Sequence, residues 1–291
     1  MTITDRPETV TTGLHTNDDG LFGPDSVTWR CHTDPTMLII GTASATTQML
    51  HPRVMRMIDQ ASSFRSKPEL RAQRTGEYVM TITYGDRASA EHAGATLRKI
   101  HQHATAIDPE NGETYHAETD DLLLWVHCAL VWMSLRAWDA YGPVLTPAEQ
   151  DQYVVEQRLA AGLIAVPLDR VPSTRADLEV YMAEMLPHLA YTHEAVWFRD
   201  MVVPKGFPLG VKPTISRIAN RAAIGIMAPE HRELFGIAWP AWQDKVDHAA
   251  AAALFAAVRK KVPAAESIAG VRAGLDATAF GARHPRPKPA G

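Results

Sequence analysis

From Asp120 to Ala137 the chain reads Asp-Asp-Leu-Leu-Leu-Trp-Val-His-Cys-Ala-Leu-Val-Trp-Met-Ser-Leu-Arg-Ala. A helix over this run is apolar on every side, so it must be surrounded by other elements rather than laid on a surface. The apolar stretch, Leu122 to Leu135, is too short to span a bilayer and carries His127. Thr119 before Asp120 and Asp121 supplies a cap residue and two acids for the first turn. The spacing therefore predicts a central helix at about 119–138, to which the rest of the chain must pack.

The surrounding sequence has mostly helical periodicity. Leu50, Val54, Met57, Ile58 and Ala61 space as one helix face. Pro68 suits the first position of the next helix, which carries Leu70, Tyr78, Val79 and Ile82 and stops at Tyr84-Gly85-Asp86. Ala90, Ala93, Leu97, His101 and Ala104 form the apolar face of another, and residues 106–118 read as a loop. Thr146-Pro-Ala-Glu149 is a capping box opening a helix to about Ala165, and Thr174-Arg-Ala-Asp177 opens one reaching Met185. Weaker helices are expected at about 213–227 and 243–261. Val79 to Tyr84 is the best candidate strand, and a helix is favoured there too. The expected architecture is all-α: a flexible arm over 1–20, one helical domain over 21–262, and an extended or disordered tail over 263–291.

Composition narrows the function. With 46% hydrophobic and 21% charged residues the 291-residue chain can bury a full core. A net charge of −4 gives no electrostatic footprint for nucleic acid or anionic membranes. Two cysteines, Cys31 and Cys128, make neither a disulfide framework nor a zinc ribbon, and no Cys-x-x-Cys-His exists for covalent haem attachment. The first residues lack the basic and apolar regions of a signal peptide, so a soluble cytoplasmic protein without an integral membrane segment is expected. There is no His-Glu-x-x-His, no Gly-x-Ser-x-Gly, no P-loop and no dinucleotide fingerprint after a strand. Glu113-x-x-His116 falls in the loop without a second copy, which excludes a di-iron bundle.

Polar residues on helices remain. Arg71, Arg74, Thr75 and Tyr78 share a face at i, i+3, i+4 and i+7. That face is either solvated or a row of hydrogen-bond donors. His101 lies on an apolar face one turn after Arg98, as a core histidine or an iron ligand. A buried imidazole with facing donors is what a haem site needs. His127 is either a core histidine bonded within the fold or a second nitrogen ligand.

Leu21-Phe-Gly-Pro-Asp-Ser-Val-Thr-Trp29, His51-Pro-Arg-Val54, Phe64-Arg65, Arg74-Thr75-x-x-Tyr78, Tyr84-Gly85-Asp86, Arg98-x-x-His101, Leu123-Leu-Trp-Val-His127 and Phe235-Gly-Ile-Ala-Trp239 occur in this order. Over roughly residues 20–240 the chain thereby resembles the domain family shared by latex-clearing rubber oxygenases and the fungal oxygenase of mycophenolic acid biosynthesis. The resemblance implies a globin-like helical core around haem b. It makes His101, in the family's Arg-x-x-His, the proximal iron ligand, with Arg98 in the same motif at the cofactor. It places Arg71, Arg74 and Thr75 at the distal Arg-x-x-Lys-Thr. Arg74 stands where the rubber oxygenases have lysine, and a guanidinium offers iron no lone pair. His127 is the nearest alternative nitrogen. The implied activity is a haem-dependent oxygenase acting with dioxygen on an apolar, isoprenoid or alkene-like substrate. The alternatives are a non-catalytic haem- or small-apolar-ligand-binding protein, and a helical scaffold without haem.

Overall fold

The structure, a computed structural model, describes residues 19–203, 206 and 209–275. It is all-α apart from one small hairpin. α6 (Asp120–Tyr141) runs through the centre, and its buried residues extend from Leu122 to Tyr141 on every side of the helix. Its main partner is α2 (Met37–Gln48). Two reciprocal bonds fix that contact: Trp125 Nε1 donates to Gln48 O at 3.1 Å, and Gln48 Nε2 donates to Val126 O at 3.1 Å. α7 (Pro147–Leu163) and α8 (Arg175–Met185) pack on another side of α6; α7 opens with its expected capping box, and Thr174 with Asp177 forms a second at the start of α8.

α1 (Val27–His32) is held from a distance. The buried Glu156 carboxylate accepts from Val27 N, Thr28 N and Thr28 Oγ1 at 3.1, 2.8 and 2.7 Å, satisfying orphan donors at the start of the helix. α3 (Pro52–Ala61) leads to α4 (Pro68–Tyr84) and α5 (Arg87–His103), which form a helical hairpin. Gly85 joins them where a Cβ would meet Thr81 O at 2.5 Å, so no larger residue fits the turn. Asp86 then caps α5 by accepting from Ser89 N at 2.6 Å. The C-terminal half of the fold adds α9 (Val196–Val202), α10 (Val211–Gly225), α11 (Pro229–Leu234) and α12 (Ala241–Lys261).

Several expectations need adjustment. Leu50 precedes the helix that holds Val54 to Ala61, because His51-Pro52 starts α3. The expected loop at 106–118 contains an antiparallel pair, β1 (Thr105–Ile107) and β2 (Thr114–His116). Three-residue strands are too short to show an alternating pattern in sequence. Within the segment expected to be tail, Ala264–Leu275 forms α13 and packs on α4. Ile268, Val271 and Leu275 meet Trp29, Met80 and Tyr84, and Arg272 Nε donates to Tyr84 O at 3.1 Å. The remainder of the expected tail, and the arm up to residue 18, lie outside the described residues. Among the described residues no helix is long and apolar enough to cross a membrane.

Candidate functional site

The α4–α5 hairpin brings Arg71 and His101 together. Only two residues separate the helices, so they run antiparallel, and positions equally far from the turn lie opposite each other. Arg71 is 14 residues before Gly85 and His101 is 15 after Asp86, which places them side by side at the open end. The C-terminal half of α4 is anchored, with Thr81 to Tyr84 buried, whereas no residue of its first half is fully buried.

His101 is half-buried. Its Nδ1 is shielded from solvent and has no hydrogen-bond partner among the described residues. His103, two residues on, satisfies its own Nδ1 on Lys99 O at 2.7 Å, the usual local solution for a helical histidine. Burial lowers the pKa of His101, the Arg71 charge lowers it further, and the Glu118 carboxylate opposes both. The ring is therefore neutral near pH 7, with one nitrogen lone pair available.

Arg71 is also half-buried, and burial lowers its pKa without threatening its charge. Its guanidinium lies 5.4 Å from the Phe64 ring centroid and has no carboxylate partner among the described residues. Phe64 meets Trp197 edge-on at 5.4 Å and Phe198 at 5.7 Å. Trp197 Nε1 is a further buried donor without an acceptor among the described residues. Donors at Trp138 and His231 share that condition elsewhere. The hairpin thus holds a cation without a carboxylate partner, an unpartnered imidazole nitrogen and an aromatic floor, a combination also met at Arg53, His51 and Tyr115 and at Arg136, His231 and Trp132.

The other expected site residues are arranged differently. Arg74, Thr75 and Arg98 are on the same two helices and exposed. His127 is buried on α6, and burial alone lowers its pKa to about 4. α6 packs mainly on α2, α7 and α8 rather than on α5, which holds His101. The structure therefore joins Arg71 to His101 and leaves His127 apart.

Sequence reading missed Phe64 and Trp197 as the floor, and Glu118 as a neighbour of His101. Phe64 stood within a family motif, so that signal was available. Glu118 reaches His101 only through the β1–β2 register, which leaves no local mark. A cleft of about 490 Å³, lined by Arg53, Gln102, Tyr115, His116 and Glu118 among others, opens beside this end of α5. A second, of about 540 Å³, lies between α6, α10 and α12, away from His101.

Among the described residues no cluster of three or more histidine, cysteine or acidic side chains suits a bare metal ion. A haem asks less of the protein: one nitrogen ligand, donors and an apolar wall. The unpartnered His101 and the unneutralised Arg71 fit that demand.

Residues 29–259 match the domain described as ER-bound oxygenase mpaB/B′/Rubber oxygenase, catalytic domain. The chain belongs to this family. The match covers α2 through most of α12, including both helices of the candidate site, and the family is one of oxygenases. No curated protein and no solved structure matches the chain.

Proposed function

We propose that this family member is a haem b-dependent oxygenase acting on an apolar, isoprenoid or alkene-like substrate, with His101 as the iron ligand and a globin-like helical pocket around the haem. The single observation that carries the reading is the neutral, half-buried His101 facing the unneutralised Arg71 across the α4–α5 hairpin. Haem would supply the activation of dioxygen, which no amino-acid side chain provides. His101 holds its place through the rigid α5 and stays neutral because burial and Arg71 both disfavour its protonation. Arg71 presents a fixed positive charge toward propionate or dioxygen, and its stacking on Phe64 limits where the guanidinium can sit. Arg74 and Thr75, one turn along the same helix, are the further donors in this reading, and Arg98 lies one turn before His101 on α5. Phe64, Trp197 and Phe198 form an apolar wall that excludes water. Arg74 cannot serve as an iron ligand in place of lysine.

The test is dioxygen consumption by the haemin-reconstituted full chain with an unsaturated isoprenoid substrate. Substrate-dependent uptake, stoichiometric with cleaved or oxygenated product, is expected. Haem binding without any uptake across such substrates would leave a haem-binding protein without turnover.

A further inference from the structure

The assignment of His101 leaves its Nδ1 unexplained. This nitrogen is buried, lacks a hydrogen bond among the described residues, and does not use the carbonyl one turn back as His103 does. A metal-ligating imidazole ordinarily donates its second ring N–H to a carboxylate, carbonyl or water, which fixes the tautomer and raises ligand basicity.

The fold brings one carboxylate to this place. β1 and β2 pair Thr105 with His116, and Ala117 N donates to Ala104 O at 2.9 Å, so the chain after β2 lies against the last turn of α5. Glu118 follows at once and is half-buried. Its hydrogen bond among the described residues is a long one from Gln102 Nε2, at 3.3 Å to Oε1. Glu118 also borders the 490 Å³ cleft, which gives its side chain room to turn.

We propose that Glu118 is the positioning residue for His101, accepting a hydrogen bond from Nδ1–H so that Nε2 is presented to the iron. The proposal rests on the reading of His101 as haem ligand. The carboxylate then holds the ring's orientation and strengthens it as a donor to metal. Gln102 competes for the same carboxylate.

Resonance Raman spectra of the ferrous, haemin-reconstituted full chain test this. Glu118→Gln keeps the side-chain shape and removes the charge. It is expected to lower the iron–histidine stretching frequency and to weaken haemin affinity about 10-fold. Gln102→Ala, an exposed change that frees Glu118 from its competitor, is expected to raise the frequency. Both variants at the wild-type frequency, with wild-type haemin affinity, would overturn the proposal. His101→Ala separates the two levels: haem lost in that variant while the Glu118 variant behaves as wild type removes Glu118 and leaves His101. Haem bound equally well without His101 removes the underlying assignment itself.

Discussion

Arg71, which has no carboxylate partner among the described residues, places a charge that acts on His101. Burial first, and the Arg71 charge after it, favour the neutral imidazole, and a neutral imidazole is the form that binds metal. Arg71→Leu is expected to retain haem and to lower turnover on the order of 10²-fold, the usual loss for one preorganised donor. Oxygen-electrode rates together with an unchanged Soret band would check this. His127 offers a second forecast. Its ring is neutral and buried on α6, which packs mainly on α2, α7 and α8 rather than on α5. The ferric protein should therefore be high-spin with an open sixth position, and His127→Ala should leave its electron paramagnetic resonance spectrum unchanged. A low-spin signal that turns high-spin in this variant would make His127 a ligand. At this scale the sequence was partly legible. Arg71 and His101 stand out through helical spacing and family motifs, while Glu118 does not, because its approach depends on a pairing between segments about ten residues apart.

Elements carry the site through their ends. α4 and α5 meet at Gly85, where close approach fixes the hairpin, and the opposite end spreads around Arg71 and His101. α1 abuts α4, and Tyr84 Oη donates to Trp29 O at 2.9 Å, so the anchored half of the hairpin depends on α1. Glu156 in turn holds α1. Glu156→Ala leaves Val27 N, Thr28 N and Thr28 Oγ1 without that acceptor and should destabilise the fold by about 3 kcal/mol, read from urea denaturation. The long helices were legible because their caps and periodicity are local: Thr146 forms the capping box expected, and Thr174 opens its helix as expected. α13 was not. Its Ile268, Val271 and Leu275 have the correct spacing, yet two glycines lie among them and a proline-rich stretch follows, which reads as tail until Trp29 and Tyr84 supply the surface it packs on.

Across the whole molecule, the buried histidines set the acid limit. Burial lowers His32 to about 3 and His51, His127 and His231 to about 4, from an ordinary value near 6.5. Between those values the unfolded chain binds more protons than the folded one, so stability falls as pH drops from about 6.5 toward 4 and is unaffected by these groups above that window. The urea midpoint should be lower at pH 5 than at pH 7, and His127→Leu should shrink the difference, since that one group contributes up to about 3 kcal/mol at the acid end. The central helix explains why these rings are buried at all, for α6 collects most of the core around itself. The proposed role of α5 is to present His101 to a haem iron. Absorption spectra of the full chain titrated with haemin test it most directly. Wild type is expected to give a saturating Soret band at one haem per chain, and His101→Ala to lose it with its helical circular dichroism intact; an unchanged Soret band in that variant would contradict the account.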